Sequence, residues 1–273
     1  MSSQQILTPG KATICVVNFK TLDLMRLCLR SIRKYTQYPY EVLVIDNNSQ
    51  DASVDYLRSL PWIRFIQQCP DTPDRGPEYS HGAALDLGIA HCSTEFFVSL
   101  HSDTIILNPL WLKSMIDRFT PCVACVGGGK LEPRPPWRRV LKAATDFKAL
   151  QRNLFWNSDQ RARYCFFIRT VCAAYRTEVI RKQRLSFLYD YEHNLTVGHR
   201  LYRDLKENGY DTVAIPDRIL QQSVTHLVHA TQIINPDLLP IHKRVRRRSQ
   251  RYIKQVWESE MIQDLLTDDS LDR

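Results

Sequence analysis

The sequence predicts an α/β fold in which a mostly parallel central sheet carries helices on both faces and is followed by a C-terminal helical extension. Over the first half of the 273 residues, short apolar runs typical of strands alternate with segments whose apolar residues recur every three or four positions. This alternation is typical of a parallel sheet, because crossover helices join parallel neighbours. Apolar residues make up 44% of the chain, which is enough for a large core.

The first half of the chain contains five predicted strands. They are residues 12–17, 41–45, 63–66, 95–100 and 122–126. Helices are predicted between them, after Thr21, through Leu57, around Ala84 and after Pro109. Before the helix around Ala84, residues 69–79 are rich in Pro, Asp and Gly and predict a surface loop.

The second half of the chain is less regular. Three glycines at 127–129 end the alternation, and a Pro-rich, basic and aromatic stretch follows to Tyr164. We predict a helix from Thr196 to Asn208 that ends at Gly209. Further strands are predicted at 165–168, 171–175 and 212–215.

Polar side chains follow three of the predicted strands at the points where the strands end. Asn18 follows the first strand, Asp46 and Asn48 follow the second, and the segment His-Ser-Asp ending at Asp103 follows the fourth. In sheets of this kind, ligands bind outside the carboxyl ends of the strands. We therefore expect the three strand ends to meet at one ligand-binding cleft, although an Asp after a strand can also be a simple helix cap.

These residue types favour a metal-bridged nucleotide over a dinucleotide. A dinucleotide-binding fold needs a Gly-x-Gly-x-x-Gly turn after its first strand, whereas this chain has Asn-Phe-Lys-Thr at residues 18–21. Carboxylates bind a diphosphate only when a cation lies between the two groups. Asp103 is therefore a candidate oxygen ligand for Mg²⁺ or Mn²⁺, with phosphate oxygens completing the coordination.

Four segments together resemble the nucleotide-sugar glycosyltransferases of family 2, whose fold is called GT-A. They are residues 13–20, 41–53, 81–89 and 100–104. The resemblance covers about residues 11–230. It implies a catalytic domain at 1–230, with a nucleotide-binding half at about 11–126 and an acceptor half at about 127–230. Residues 231–273 then form a basic amphipathic helix and an acidic tail.

The resemblance implies roles for residues on the donor side. Asn18 would line the nucleoside pocket, and Asp46 would accept a hydrogen bond from the base, with Asn48 beside it. Arg75 could reach the diphosphate, although a surface charge is the plainer interpretation of this arginine. The implied donor is a nucleotide sugar, and we expect a UDP-sugar.

The resemblance also implies a metal centre. Asp103 matches the last acid of the family's Asp-x-Asp motif, and His101 stands where the first acid usually lies, with Ser102 between them. An imidazole can still bind a metal or donate to a phosphate. A further ligand is implied at His226 or His229, for which an ordinary structural histidine is the alternative.

The implied reaction is displacement at the anomeric carbon by an acceptor hydroxyl, with inversion. A general base must take the acceptor proton, and the family usually places it in a Glu-Asp pair where this chain has Val197 and Gly198. Asp190 and Glu192 are the nearest substitutes, and solvated loop acids are the alternative interpretation. The acceptor would be a glycan, a lipid-linked sugar or a small molecule.

Charge is unevenly distributed near the C-terminus. The chain has 37 basic and 29 acidic residues, a net charge of +8, and a block of basic residues at 243–254 precedes an acidic stretch. Apolar residues between Val245 and Trp257 recur at near-helical spacing, which predicts an amphipathic helix packed on the body or on a second subunit in a homodimer. Attachment to an anionic membrane surface is the alternative. Nucleic acid is disfavoured, since no recognised motif accompanies the charge.

Two function classes compete with the glycosyltransferase. A nucleotidyltransferase would carry an early Gly-rich phosphate loop, which is missing here, and a catalytically inactive nucleotide- or glycan-binding module would explain His101 and the missing Glu-Asp pair. The N-terminus lacks the basic and apolar pattern of a secretory signal. We therefore expect a cytoplasmic enzyme, with peripheral association at the inner face of a membrane as the alternative.

Overall fold

The structure is a computed structural model that describes residues 6–68, 76–129, 131, 166–237 and 241–273. Arg75 and the predicted basic and aromatic stretch before Tyr164 lie outside the described residues. Strands and helices are numbered below in chain order over the described part of the chain.

Among the described residues, seven strands form the main sheet, in the order β3-β2-β1-β4-β7-β6-β8, and β5 pairs with β9 in a small second sheet. The strands are β1 Thr8–Asn18, β2 Tyr40–Asp46, β3 Ile63–Gln67, β4 Thr94–His101, β5 Thr104–Ile106, β6 Val123–Gly127, β7 Cys172–Arg176, β8 Asp211–Ala214 and β9 Val224–His226. β3, β2, β1 and β4 are parallel neighbours, and β6 is parallel to β8. β7 runs antiparallel to both β4 and β6. The predicted α/β class with a mostly parallel sheet is confirmed.

Helices connect and cover these strands. They are α1 Leu22–Tyr35, α2 Ala52–Ser59, α3 Gly76–His91, α4 Trp111–Ile116, α5 Thr177–Lys182, α6 His199–Glu207, α7 Asp217–Leu220, α8 Ala230–Ile234, α9 Lys243–Trp257 and α10 Glu260–Thr267. A short 3-10 turn, Asp269–Asp272, follows α10. In the described part of the chain, no helix combines the length and the apolar composition that crossing a bilayer requires.

Alternate residues of β1 pack into two separate hydrophobic layers. Ile14 and Val16 pack with the apolar faces of α1 and α4. Cys15 and Val17 pack with α3, α5 and α6 on the other face of the sheet. Because both faces are covered, the interiors of β1, β2 and β4 are mostly apolar, with Thr13 and Ser99 as buried polar exceptions. This arrangement holds the carboxyl ends of β1, β2 and β4 in fixed positions.

The small sheet brings a distant part of the chain to the end of β4. Thr104 in β5 pairs with His226 in β9, and Ile106 pairs with Val224. The backbone N–H of Leu227 donates to the Asp103 carbonyl at 2.8 Å. The residues just after β4 are therefore fixed beside the residues around His226.

The C-terminal segment packs back onto α1. Leu24 and Leu27 of α1 share a hydrophobic cluster with Ile262 and Leu265 of α10. Arg30 of α1 is also covered there, and its guanidinium donates to the Leu265 backbone carbonyl at 3.0 Å. The last helix is thus packed against the first one.

Several local predictions were wrong. Residues 76–79 form the first turn of α3 and do not belong to a loop, since Pro77 suits a first turn. The described residues of the predicted strand at 165–168 are irregular, because Phe167 and Ile168 pack without a strand partner. The helix predicted from Thr196 begins only at His199.

Candidate functional site

The carboxyl ends of β2, β1 and β4 lie side by side at one edge of the main sheet. Asn18 pairs with Asp46 in the register between β1 and β2. Val17 pairs with His101 in the register between β1 and β4. Because the three strands are parallel, their polar terminal residues arrive at the same edge, where sheets of this kind bind ligands.

Asn18 and Asp46 are fully buried at this edge and bond to each other. Asn18 Nδ2 lies 2.7 Å from Asp46 Oδ1 and 2.8 Å from the Ser53 hydroxyl. Asp46 also accepts hydrogen bonds from the backbone N–H and the hydroxyl of Ser49. The Thr21 hydroxyl, which does not cap α1, donates to Asn18 Oδ1 at 3.0 Å. The network fixes the loop after β2, and the Asp46 carboxylate does not reach solvent.

The loop after β2 is also tied to two helices. Asn47 Nδ2 donates to the Ser80 carbonyl of α3 at 3.4 Å. Asp51 caps α2 by accepting from the Ser53 backbone N–H at 3.1 Å. Asn48 has a positive φ of 58° and is partly exposed. Of the three residues predicted to contact the nucleoside, Asn48 is the accessible one.

A second polar group lies where β4 ends and β9 pairs with β5. His226 Nε2 lies 3.1 Å from Asp103 Oδ1, and His101 Nδ1 lies 3.9 Å from the same oxygen. One nitrogen of each histidine and one oxygen of Asp103 all lie within 4.8 Å of one another. We call these three residues the ligand triad.

Burial controls the charges around the ligand triad. It lowers the pKa of His101 to about 3, with His81 and His226 acting in the same direction. Burial likewise lowers the pKa of His81 to about 4. For Asp103 burial acts in the opposite direction, but His226 and His101 outweigh it and lower the carboxyl pKa. At neutral pH, His81 and His101 are therefore neutral and Asp103 is ionised.

The ligand triad fits a divalent cation. His101 Nε2 lies 3.3 Å from the Thr170 hydroxyl, so Nδ1 is the ring nitrogen available toward Asp103. The 3.9 Å between His101 Nδ1 and Asp103 Oδ1 is too long for a hydrogen bond. Two imidazole nitrogens and a carboxylate are ligands that transition-metal ions accept.

An unpartnered histidine lies beside the ligand triad. His81 of α3 packs edge-on against His101, with ring centroids 4.9 Å apart. Its buried Nε2 atom has no hydrogen-bond partner among the described residues. Buried polar atoms are usually paired, and a polar group bound beside the triad would supply a partner for this nitrogen.

The other residues predicted to bind the donor or the metal are not members of the ligand triad. His229 is not part of the ligand triad; its Nδ1 contacts Gln232 Oε1 at 2.7 Å, and its backbone φ is 67°. Ser102 is buried between the two triad residues that flank it in sequence. Arg75 lies outside the described residues.

The predicted base candidates lie in a turn closed by Asp190 and Leu195, whose backbones exchange two hydrogen bonds. The buried Asp190 carboxylate accepts from the His193 backbone N–H and lies 3.0 Å from His193 Nδ1. Arg200 approaches the same carboxylate at 3.5 Å. Burial opposes ionisation of Asp190, but these partners outweigh it and lower the pKa. Glu192 is exposed, and 47% of the His193 side chain is exposed.

This turn is connected to the ligand triad through two contacts. Tyr191 packs against Tyr79 of α3, the helix that carries His81, with ring centroids 6.5 Å apart. At the other end, Gly198 lies against Thr170, the hydrogen-bond partner of the triad's first histidine. Each contact links the turn, or the residues just after it, to a neighbour of the triad and not to a triad residue itself.

Three residues around the site were not predicted from the sequence. His81 stands at the start of a family-like motif, and His193 stands directly after Glu192. His81 is positioned by its packing against the distant His101, whereas His193 pairs with Asp190, three residues away. Thr170 carries no sequence signal at all.

Comparison with known proteins identifies the family. The sequence model described as Glycosyl transferase family 2 matches residues 13–183, more than half of the 273 residues. No curated protein shows significant sequence similarity to the chain.

Three solved structures are similar over most of the chain. The mannosyltransferase PcManGT from Pyrobaculum calidifontis, in complex with GDP-Man and Mn²⁺, is 18% identical over 95% of this chain and 69% of that chain, with a TM-score of 0.55. S. aureus TarS 1-349 in complex with UDP is 13% identical over 93% of this chain and 74% of that chain, with a TM-score of 0.51. Galactosyltransferase LgtC, in complex with donor and acceptor sugar analogs, is 10% identical over 86% of this chain and 99% of that chain, with a TM-score of 0.51. At these identities the similarity concerns the fold.

The family match and the shared fold agree with the arrangement of the strand ends. The resemblance noted from four short segments of sequence is thereby confirmed. The chain belongs to glycosyl transferase family 2, and it is a glycosyltransferase with the GT-A fold.

Proposed function

We propose that this glycosyltransferase is divalent-metal dependent and inverting, and that it moves a sugar from a nucleoside diphosphate donor to an acceptor hydroxyl. The ligand triad supports this proposal, because two imidazole nitrogens and a carboxylate oxygen lie together where β4 ends in a family 2 glycosyltransferase. Ligands bind at this edge in α/β sheets. The donor's diphosphate carries the negative charge that a cation at this edge would complement.

Mg²⁺ or Mn²⁺ would be held by His101, Asp103 and His226. When bound, the cation supplies Lewis acidity that neutralises charge on the departing diphosphate. The chain's own residues prepare the ligands: Thr170 fixes the His101 ring, and the backbone pairing of β5 with β9 fixes His226. A polar group of the donor would also satisfy the unpartnered Nε2 of His81.

We place the nucleoside against the loop after β2, and we expect a UDP-sugar as donor. Asn18 and Asp46 would shape this loop, because both are buried and bonded to each other. A direct hydrogen bond from the base to Asp46 would require Ser49 to move, so we assign the direct contact to Asn48. Arg75 remains our candidate for the diphosphate. The nucleotides in the similar structures, GDP-Man and UDP, support a nucleoside diphosphate donor.

We assign the general base to the turn at residues 190–195. His193 is our candidate base, with Asp190 orienting its ring, because Asp190 lies 3.0 Å from Nδ1 and leaves Nε2 available. A carboxylate that orients an imidazole is a recurrent arrangement in proton transfer. Glu192, exposed in the same turn, is the alternative base.

We further propose that the acceptor binds to the half of the domain at 127–230 and is carried by an anionic membrane. The apolar residues of α9, among them Tyr252 and Trp257, pack against the body of the protein, so a basic surface faces outward. The exposed basic residues are Lys243, Arg244, Arg246, Arg247, Arg248, Arg251 and Lys254. Such a surface suits a peripheral enzyme at the cytoplasmic face. Sedimentation with phosphatidylserine vesicles, but not with phosphatidylcholine vesicles, is the expected result.

The decisive test of the enzymatic proposal is turnover. Purified protein is incubated with Mn²⁺ and a panel of UDP- and GDP-sugars, and release of the nucleoside diphosphate is followed with and without candidate acceptors. We expect metal-dependent release from one donor, accelerated by an acceptor. The inactive module is the rival, favoured by Val197 and Gly198 at the usual base position. Donor binding without any hydrolysis or transfer would support that rival.

A further inference from the structure

The ligand triad differs chemically from a site built from acids. Two of its three ligand atoms are imidazole nitrogens, His101 Nδ1 and His226 Nε2, and Asp103 contributes the single carboxylate oxygen. The first position of the family-like Asp-x-Asp segment is occupied by His101, so one anionic oxygen is replaced by a neutral nitrogen. The triad therefore offers one negative charge to a doubly charged ion.

This composition bears on which cation is bound. Mg²⁺ is a hard ion that takes oxygen ligands in near-octahedral geometry and seldom accepts nitrogen. Divalent transition ions bind imidazole well, with affinity rising from Mn²⁺ through Co²⁺. An imidazole is therefore a poor replacement for a carboxylate when the ion is Mg²⁺ but an adequate one for Mn²⁺ or Co²⁺.

The surroundings of His101 hold it in a ligating arrangement. Its Nε2 lies 3.3 Å from the Thr170 hydroxyl, which fixes the ring and leaves Nδ1 toward Asp103. A hydrogen bond to the second nitrogen is the usual support for a metal-binding histidine. His81 packs edge-on against the ring and restricts its rotation.

We propose that His101 is a specificity-determining residue that makes this centre selective for transition ions, with Mn²⁺ and Co²⁺ bound in preference to Mg²⁺. The proposal rests on the proposed metal-dependent function and adds the selectivity to it. We expect Mn²⁺ to bind at least about tenfold more tightly than Mg²⁺, and Co²⁺ to bind more tightly than Mn²⁺.

Metal affinity and ligand identity are measured without catalysis. The full chain, freed of metal and saturated with UDP, is titrated calorimetrically with MnCl₂, CoCl₂ and MgCl₂. In parallel, electron spin echo modulation of bound Mn²⁺ counts the imidazole nitrogens, and two are expected. For His101→Asp we expect one nitrogen and a Mn²⁺ to Mg²⁺ affinity ratio reduced by about tenfold.

Two further histidine variants serve as references. His91→Gln alters an exposed histidine at the far end of α3 and is expected to leave affinity and nitrogen count unchanged. His229→Gln is expected to behave in the same way, because His229 is not part of the triad. Circular dichroism and thermal melting check the folding of each variant. If His101→Asp does not fold, the proposal is tested by the number of imidazole nitrogens that coordinate Mn²⁺ in the native protein.

The outcomes separate this inference from the proposed function. Equal affinity for Mg²⁺ and Mn²⁺, a single coordinated nitrogen in the native protein, or an unchanged ratio in folded His101→Asp would each overturn the selectivity. Those results would leave a metal-dependent transferase in place. Failure of every divalent ion to bind would overturn both the selectivity and the metal dependence.

Discussion

At the scale of single residues, the proposed metal binding depends most on Asp103. It is the charged member of the ligand triad, and both histidines approach the same carboxylate oxygen. Asp103→Asn keeps the side-chain size and removes the charge. We expect it to weaken Mn²⁺ binding by about a hundredfold or more, since a charged first ligand should matter at least as much as the residues supporting it.

The measurement for Asp103→Asn is calorimetric titration with MnCl₂ in the presence of UDP. Asp117→Asn is the control, because Asp117 is an exposed carboxylate paired with Lys113 on α4. The control should bind Mn²⁺ as the native protein does. Retention of native affinity by Asp103→Asn would show that the cation binds elsewhere.

The base assignment makes a second prediction at this scale. His193→Gln should lower kcat by about 10²–10⁴-fold, because a general base contributes about that factor, while the affinity for the donor stays unchanged. Asp190→Asn should lower kcat less and change the pH profile, since Asp190 positions the ring and does not take the proton. Glu192→Gln should be close to native.

Steady-state kinetics across pH distinguish these roles. A large loss of kcat in His193→Gln, with a near-native Glu192→Gln, would support His193 as the base. The reverse pattern, a large loss in Glu192→Gln with a near-native His193→Gln, would transfer the role to Glu192.

At the scale of elements, the start of α6 lies against Thr170, which contacts His101 of the ligand triad. Gly198 has a φ of 73°, and a Cβ placed there would lie 2.8 Å from Thr170 Cγ2. Gly209, at the other end of α6, has a φ of 80° with nothing within 4 Å of the equivalent position. The two glycines share the backbone requirement and differ only in the contact.

Substituting each glycine with alanine isolates that contact. Gly209→Ala should lose about 1–2 kcal/mol of stability through the left-handed backbone alone. Gly198→Ala should lose about 1–3 kcal/mol more through overpacking, and it should weaken Mn²⁺ binding by displacing Thr170 from His101. Urea unfolding and metal titration provide the two readouts. If the two variants lose the same stability and bind Mn²⁺ with the same affinity, the contact between Gly198 and Thr170 does not affect the triad.

The packing of the C-terminal segment on α1 gives a pH-dependent prediction. Arg30 donates to Asp272 Oδ1 at 2.9 Å, and Tyr56 donates to the same oxygen at 2.9 Å. Partial burial raises the pKa of Asp272, but these hydrogen bonds outweigh it and lower the pKa. A depressed folded-state pKa adds stability above the unfolded-state pKa, and this stability is lost as pH falls through the folded-state value.

Asp272→Asn should therefore cost about 1.5–3 kcal/mol at pH 7, the range for hydrogen bonds to charged groups. The difference from the native protein should shrink below about pH 4, where the carboxyl of the unfolded chain is protonated. Chemical unfolding at pH 7 and pH 3.5 measures it. A difference that stays constant with pH would mean that the carboxylate charge is not involved.

Some strands could be predicted from the sequence, for identifiable reasons. β1, β2 and β4 are apolar runs that end in polar residues, so their positions and their shared edge could be predicted. β5 and β9 have three residues each and pair across a long stretch of sequence, as Thr104 does with His226. No local pattern marks such a pairing, which is why the sequence could not decide between His226 and His229.

The failures of prediction have the same origin in tertiary contacts. Phe167 and Ile168 form an apolar run that predicted a strand, but Phe167 stacks on His199 with ring centroids 4.0 Å apart. Asp46 was expected to face a ligand, but it is buried and accepts hydrogen bonds from the Asn18 side chain and from the backbone and hydroxyl of Ser49. Residue type alone does not reveal which buried polar groups form hydrogen bonds with each other.

At the scale of the whole molecule, two hydrophobic layers cover the faces of the sheet. The polar ends of β1, β2 and β4 lie at one edge of the sheet. The part of the chain before residue 127 contains Asn48, His101 and Asp103, and the later part contains His226 and the turn with His193. We propose that the boundary between donor and acceptor halves near residue 127 runs beside the metal centre. The site would then be complete only when both halves are folded.

The central claim is that a divalent cation at the ligand triad joins a nucleoside diphosphate to the protein. Calorimetric titration of the native protein with UDP, first with Mn²⁺ and then with EDTA, tests this claim most directly. We expect the saturable binding of UDP in the presence of Mn²⁺ to become at least about tenfold weaker when the metal is removed. Equal affinity in the two conditions, or no binding of UDP or GDP in either, would contradict it.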